Sequence, residues 1–329
     1  MKSNSCCVFT ENQFQLVLPP LLVLEFVVGV LGNSLALWIF SFHMKPWKSS
    51  TVLLFNLALA DFLLTVPLPF RAAYYQRGRD WMYGDAFCRV CIFMLAMNRG
   101  GSILFMMAVA VDRYLRVVLP HHPLNSMSVF KAMGVAGAIW ALAISLTAHL
   151  LFWSHLHQAN NKTQCDSFII CNNTNFSYYW HKCCVFIISF YIPLGVILYC
   201  SICIISQLRD RQLDKNTKIR KALRCIAVVV VVFFICFFPS NLTGTLLFTK
   251  FIHHNIACEN FESLEMAFYF TISFTYLNSM LDPMIYYFSS PTFRKMYRKL
   301  LMRCLRRKAK SDAKEDQTHD TGSQTISQL

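Results

Sequence analysis

The sequence predicts an all-α membrane protein: a seven-transmembrane helix bundle with a short amphipathic interfacial helix after the seventh span. Three observations carry this. Apolar residues make up 55% of the 329-residue chain and charged residues only 15%. The apolar residues fall in seven runs, near 17–42, 51–75, 88–118, 129–153, 183–208, 222–249 and 264–288, each long enough to cross the bilayer core as a helix. No strand-like alternation persists anywhere, which argues against a closed barrel.

The first run follows a mixed polar segment, residues 1–15, that lacks a basic region leading into a short apolar stretch. The run is therefore expected to act as its own insertion signal. Basic residues then settle the orientation. Lys45 and Lys48 follow the first run, and Arg116 and Lys131 flank the gap after the third. Arg209, Arg211, Lys215, Lys218, Arg220, Lys221 and Arg224 fill the gap after the fifth, and Arg294 to Lys308 supply eight more after the seventh. The alternate gaps carry far fewer, so the N-terminus is expected outside and the C-terminus in the cytoplasm. The net charge of +14 thus sits in short stretches at an anionic membrane surface, which fits a lipid bilayer as partner and excludes nucleic acid.

Two independent cues agree with this orientation. Acceptor sequons for N-glycosylation at Asn161, Asn172 and Asn175 share the gap between the fourth and fifth runs, on the outer side. Asn241-Leu-Thr also matches, but inside an apolar run, and is expected to stay unmodified. Cys6, Cys7, Cys88, Cys165, Cys171 and Cys258 all fall at outer positions, where disulfides persist. Six cysteines allow fifteen pairings, and the sequence alone does not choose. The boundaries expected are 1–15 for the extracellular N-terminus, 16–290 for the membrane domain, 291–304 for the interfacial helix and 305–329 for a disordered cytoplasmic tail. The interfacial helix sets Phe293, Tyr297, Leu300 and Leu301 against a basic face. Cys304 at its end is a palmitoylation candidate.

Ionisable groups at bilayer depth are expensive and mark function. This chain places Asp61, Asp112, Arg113 and Asp282 in its spans, with Arg99 inside the third run and Glu25 inside the first. Around them stand Gly32-Asn33, Leu57 to Asp61, Asp112-Arg113-Tyr114, Trp140, Pro193, Cys236-Phe-Phe-Pro239 and Asn278-Ser-Met-Leu-Asp282-Pro283-Met-Ile-Tyr286. Taken in order, each on its own span, these resemble the rhodopsin-like, G-protein-coupled receptors over nearly the whole ordered chain.

The resemblance implies roles. Asp112 and Arg113, beside Tyr114, form an ionic lock whose release frees a guanidinium fork for a G-protein tail. The competing reading is a snorkelling arginine at a helix end. Asp61, Ser102, Asn278, Ser279 and Asp282 converge on a pocket for an allosteric sodium ion, against a plain hydrogen-bond network. Pro239 kinks and hinges the sixth helix, with Phe233 and Phe237 repacking as it moves. Asp282, Pro283 and Tyr286 belong to the same switch. The chain departs from the family in having Phe237 where a Trp is usual, Asp282 where an Asn is usual, and Ser201 where many members have a Tyr.

Arg99 is the most informative residue for a ligand. It lies fourteen residues before Arg113, about 21 Å along the axis, and about 16 Å below Cys88. That is the depth of a pocket between helices. A buried arginine needs a partner, and its fork suits a carboxylate. The alternative is a structural partner such as Glu25 or backbone oxygens. Leu95 stands where amine receptors place a carboxylate.

The segments Asn4-Ser-Cys-Cys-Val-Phe9, Lys45-Pro-Trp-Lys-Ser, Phe93 to Arg99, Pro120-His-His, Ser273 to Asp282 and Phe288-Ser-Ser-Pro291 resemble the hydroxycarboxylic acid receptors, with the oxoeicosanoid receptors close by. In that group the arginine matching Arg99 anchors the ligand carboxylate, and Tyr276, Ser167 and Phe168 match other pocket positions. A second basic residue carried by some members on the sixth helix is Gly244 here. The resemblance further implies the disulfides Cys88–Cys165, Cys6–Cys171 and Cys7–Cys258, the last two stapling the N-terminus as a lid.

The expectation is a non-enzymatic plasma-membrane receptor for a small carboxylate that signals through an inhibitory G protein to lower cyclic AMP. Arrestin and receptor kinases act on its tail. It needs no cofactor beyond the sodium ion. The rivals are a receptor for oxidised fatty acids and an anion transporter using Arg99. The lack of internal repeats counts against transport.

Overall fold

The computed structural model of the chain describes residues 13–159, 162–166, 185, 187–210, 217–253 and 262–303. The expectations for Cys6, Cys7, Ser167, Phe168, Cys171, Cys258 and Cys304, for the sequons at Asn161, Asn172 and Asn175, and for the tail 305–329 lie outside these residues.

Helical spans occupy every apolar run. They are Gln13–His43, Ser49–Leu64 with Leu68–Gln76, Gly84–Val117, Val129–Thr147 with His149–Phe152, Ile192–Asp210 entered through a π-turn at Ile187–Tyr191, Thr217–Cys236 with Phe238–His253, and Glu262–Ser273 with Asn278–Ser289. Six are long and apolar enough, as single stretches among the described residues, to cross a membrane. The seventh is split by a turn at 274–277 into two pieces of twelve residues each. A further helix at 291–303 follows the last span.

The breaks have local causes. In the second span Pro67 stands at the N-cap of the outer piece and Pro69 in its first turn, where a missing N–H falls among donors that lack a helical partner anyway. In the sixth, the helix interrupts at Phe237, two residues before Pro239, as expected of a proline in a helix interior. The Phe237 carbonyl gathers the Asn241 amide nitrogen at 3.2 Å, the Asn241 side chain at 2.7 Å and the Ser240 hydroxyl at 3.1 Å. In the seventh, Ser273 and Thr275 turn their hydroxyls back onto the carbonyls of Phe270 and Ile272, each at 2.6 Å, and such back-bonding bends helices.

Large apolar side chains such as Leu31, Phe42, Phe130 and Ile202 are exposed along the spans, the surface a lipid-facing bundle presents. Inside, the apolar core has two centres. One packs Phe40, Phe105, Phe190, Phe233, Phe237 and Tyr286. The other packs Leu22, Leu68, Tyr74, Trp81, Leu95 and Tyr276 around the Cys88–Cys165 disulfide. The first and seventh spans touch through glycine, as close helix crossings in membranes do. A Cβ on Gly32 would meet the Pro283 ring at 3.0 Å, and one on Gly29 would meet the Ser279 hydroxyl at 2.9 Å. Gly32→Val is therefore expected to destabilise the bundle by about 1–3 kcal/mol, read as a lower melting temperature of the solubilised protein. Gly134, with nothing within 4 Å of its added Cβ, is expected to accept Ala without loss.

An antiparallel hairpin caps one end of the bundle, pairing Leu156–Ala159 with Lys162–Cys165 in the register Leu156↔Cys165 and Ala159↔Lys162. The sequence contained no persistent alternation to announce these four-residue strands. They are held by Cys165 and by the Trp81 amide, which donates to the Thr163 carbonyl at 2.7 Å.

Candidate functional site

A cavity of about 170 Å³ lies below the hairpin. Leu95, Arg99 and Ile103 of the third span, Leu146 and Thr147 of the fourth, Asn241 of the sixth and Ile272 and Tyr276 of the seventh line it. Its walls are mainly apolar, with Arg99 and His149 the basic side chains among the described lining residues. The spacing of Leu95, Arg99 and Ile103, four residues apart, puts all three on one helical face. The Arg99 guanidinium donates to the Ser240 hydroxyl at 3.3 Å. Ser240 stands one residue past Pro239, so the cation is tied to the broken part of the sixth helix. Glu25, the acid proposed as a structural partner, is not it: both its carboxylate oxygens are buried and make no hydrogen bond.

Above the cavity a buried ionic cluster fixes the hairpin. Asp166, which follows Cys165, accepts from Arg79 at 2.6 Å and from the Tyr74 hydroxyl at 3.0 Å, with Arg71 at 3.9 Å. Arg71 also donates to the Cys165 carbonyl at 2.7 Å and stacks on the rings of Tyr74 and Tyr75. Arg79 lies over the Tyr269 ring at 5.0 Å. Burial opposes the charge on Asp166, but the guanidinium groups of Arg79 and Arg71 more than offset it and hold the carboxyl below its ordinary range. Sequence reasoning did not single out Asp166, Arg71 or Arg79. Arg71, within an apolar run, was the one available signal.

Midway along the bundle a second cluster is fully buried. Ser102 and Asn278 donate to one oxygen of Asp61 at 3.1 and 2.9 Å, and the Tyr286 hydroxyl to the other at 3.0 Å. Asn278 also donates to Asp282 at 3.1 Å, so its one amide bridges the two carboxyl groups. Four of the five residues expected to converge here do so. Ser279 does not: its hydroxyl donates to the Tyr276 carbonyl at 3.0 Å, and its position faces Gly29 of the first span. Tyr286 joins instead, and also donates to Asn33 at 3.1 Å. Asn98, which donates to the Ala60 carbonyl at 2.8 Å, borders the cluster.

At the far end, Asp112 pairs with Arg113 at 2.9 Å. It also accepts the Arg116 Nε at 3.0 Å on each oxygen, a second partner that the adjacency of Asp112 and Arg113 had not revealed. Arg116 reaches Ser49 at 3.0 Å. Tyr114 faces the Tyr199 ring at 5.9 Å. Ser201 donates its hydroxyl to its own helix, at the Ile197 carbonyl. Between the middle cluster and this end, Phe233 stacks on Phe190 at 5.4 Å and tilts against Phe237 at 5.6 Å.

A seven-helix membrane bundle with a walled cavity near one end, a buried acidic cluster at its middle and an arginine–aspartate pair at the other is the architecture of a transmembrane receptor. The family described as 7 transmembrane receptor (rhodopsin family) matches residues 32–286, and the chain belongs to it. It is a multi-pass protein of the plasma membrane and a receptor, not an enzyme. Hydroxycarboxylic acid receptor 2 of Rattus norvegicus is 49% identical over 298 residues, covering 90% of this chain and 81% of the relative. Hydroxycarboxylic acid receptor 1 of Homo sapiens is 47% identical over 298 residues, covering 90% and 84%. Oxoeicosanoid receptor 1 of Homo sapiens is 41% identical over 276 residues, covering 84% and 70%.

Proposed function

We propose that the chain is a receptor for a small carboxylic acid of the hydroxycarboxylic type, which enters from outside, pairs with Arg99, and acts through an inhibitory G protein to lower cyclic AMP. The observation that carries this is one guanidinium in the wall of a mainly apolar cavity of about 170 Å³. The names of the relatives support the ligand class. Size favours a short acid over the lipid-acid reading. An engineered cavity of about 150 Å³ is known to hold a benzene ring, so this one suits an acid of similar bulk, whereas an oxidised fatty acid brings a much longer chain. A transporter reading gains no support from the family.

The mechanism follows from where Arg99 is tied. A carboxylate at its fork competes with Ser240, loosening the third helix from the sixth just past the break at Phe237. The cytoplasmic half of the sixth helix then swings about Pro239, and the Phe190–Phe233–Phe237 stack repacks. Such a ligand shifts the balance of states only through its different affinity for each. Release of Arg113 from Asp112 presents its fork to the G protein.

The middle cluster suits a hard cation such as sodium. Its donors are all oxygens, and Asp282 Oδ1 and Asn278 Oδ1 are buried without a hydrogen-bond partner. Asp61, Asp282, Ser102 and Asn278 would hold the ion. When bound, it supplies one positive charge between two carboxylates that repel when both are ionised. In the proposed orientation the hairpin end is extracellular, the helix 291–303 lies along the inner leaflet, and Cys304 and the tail are the proposed sites for acylation, kinases and arrestin. The lid disulfides Cys6–Cys171 and Cys7–Cys258 and the contacts of Ser167 and Phe168 belong to the same proposal.

The test is a panel of saturated 2- or 3-hydroxy acids from three to twenty carbons, read as suppression of forskolin-raised cyclic AMP. Potency is expected to peak among the short acids and to be lost at the long end. Stronger responses to twenty-carbon acids than to any short one would overturn the short-acid reading in favour of the lipid-acid one. Pertussis toxin is expected to abolish the response.

A further inference from the structure

Asn241, the sequon asparagine buried in the sixth span, stands in the wall of the cavity that holds Arg99. The residue is 1% exposed. The helix break fixes how its carboxamide points. Its side-chain nitrogen donates to the Phe237 carbonyl at 2.7 Å. A carbonyl can only accept, so the nitrogen and not the oxygen must face it. The side-chain oxygen therefore turns the other way, and among the described residues it accepts no hydrogen bond. Nor is it sealed in protein, as the Glu25 oxygens are, so the space it meets is the cavity. A buried acceptor left without a donor is costly.

The other polar groups of the wall play different parts. Thr147 and Thr275 spend their hydroxyl hydrogens on their own helices, at the Ala143 carbonyl at 2.7 Å and the Ile272 carbonyl at 2.6 Å. Arg99 is a donor and answers a carboxylate. Ser189, in the π-turn of the fifth span, also lines the cavity, and its hydroxyl enters no hydrogen bond among the described residues. It can both donate and accept.

Asn241 thus calls for a ligand group that carries a hydrogen. An ionised carboxylate has none, and neither has a keto oxygen. An alcohol has one to give to Asn241, and its lone pairs can take the Ser189 hydrogen. We propose that Asn241 is the residue that selects a hydroxy acid over oxo and unsubstituted acids of the same length. Its carboxamide oxygen accepts the hydrogen of the ligand hydroxyl while Arg99 holds the carboxylate, so the inference rests on the acid-binding reading above. The geometry also places the hydroxyl. Arg99 reaches Ser240 at 3.3 Å, and Asn241 is the next residue, about 3.8 Å along the chain. The hydroxyl therefore belongs on the second or third carbon of the acid, beside the carboxylate, and not at the far end of the chain.

The experiment gives cells expressing the full chain two sets of acids, with cyclic AMP suppression as the readout. One set is propanoic, 2-hydroxypropanoic and 2-oxopropanoic acid; the other is butanoic, 3-hydroxybutanoic and 3-oxobutanoic acid. The hydroxy acids are supplied as separate enantiomers. Chain length is constant within a set, so potency ratios isolate the oxygen function and cancel differences in expression. In the parent, the better hydroxy enantiomer of at least one set is expected to exceed its oxo and unsubstituted counterparts by about tenfold to a hundredfold. In Asn241→Leu, which keeps the volume, and Asn241→Ala, which empties it, that ratio is expected to fall to near one. Equal potency of hydroxy and oxo acids in the parent overturns the proposal, and so does a ratio that survives in either variant. Silence of both variants toward every acid makes Asn241 a packing residue and overturns it as well. If no acid acts on the parent, the carboxylate reading fails and takes this one with it. If acids act through Arg99 without any advantage from the hydroxyl, the carboxylate reading stands and the role of Asn241 alone falls.

Discussion

Arg99→Ala is expected to lower the potency of carboxylic acids by roughly thirtyfold to more than a thousandfold, the range for truncating one side of a buried, hydrogen-bonded charge pair. The charge sits in a mainly apolar wall, where few other groups compensate for its loss and where a guanidinium fork matches a carboxylate in shape as well as sign. Arg99→Lys keeps the charge but loses the fork, and is expected to fall between parent and Ala variant. Because Arg99 is bonded to Ser240 on the sixth helix, Ser240→Ala is expected to alter basal signalling more than acid affinity. Cyclic AMP suppression over a dose series of acids checks all three. Acids that activate Arg99→Ala as well as the parent would sink the anchoring role.

Asp166→Ala is expected to cost about 3–5 kcal/mol of stability, the usual penalty for breaking a buried ion pair from one side. It leaves the guanidinium groups of Arg79 and Arg71 beneath the hairpin without their shared carboxylate. Thermal unfolding of the solubilised receptor and its yield at the cell surface read the loss. The double change Asp166→Leu/Arg79→Met is expected to recover part of it, since no charge on Arg79 is then stranded. The pH dependence has a definite sign. Asp166 is held below the ordinary aspartate range, so its contribution is full above the unfolded value near 3.9. It is lost only as pH falls through the lower folded value. Acidification from pH 7 to 5 is therefore expected to leave the hairpin cluster intact, and a melting temperature that drops across that window would contradict the assignment.

The spans were legible because a bilayer demands long apolar helices, and each of the seven runs became one. Where the spans break was legible at Pro239, whose ring interrupts the sixth helix at Phe237. It was not legible at 274–277, where two hydroxyls rather than a proline or glycine divert the backbone. The middle cluster was readable at Asp61, Ser102, Asn278 and Asp282, since polar groups at bilayer depth must find each other. Ser279 misled for a physical reason: a small hydroxyl can satisfy itself on its own helix, and this one does, at the Tyr276 carbonyl. The cluster around Asp166 was opaque. Asp166 lies 87 residues from Arg79 and 92 from Tyr74 in sequence, and only the register of a short hairpin after a disulfide brings them together.

The two arginines on Asp112 bear on how readily the far end of the bundle opens. Arg116 grips both oxygens of that carboxylate from one turn away, and Ser49 steadies the grip. Withdrawing Arg113 thus does not strand a bare anion in a low-dielectric setting, because a spare counter-ion is already in place. The acid at that end therefore keeps a counter-ion on its own helix whichever way Arg113 turns.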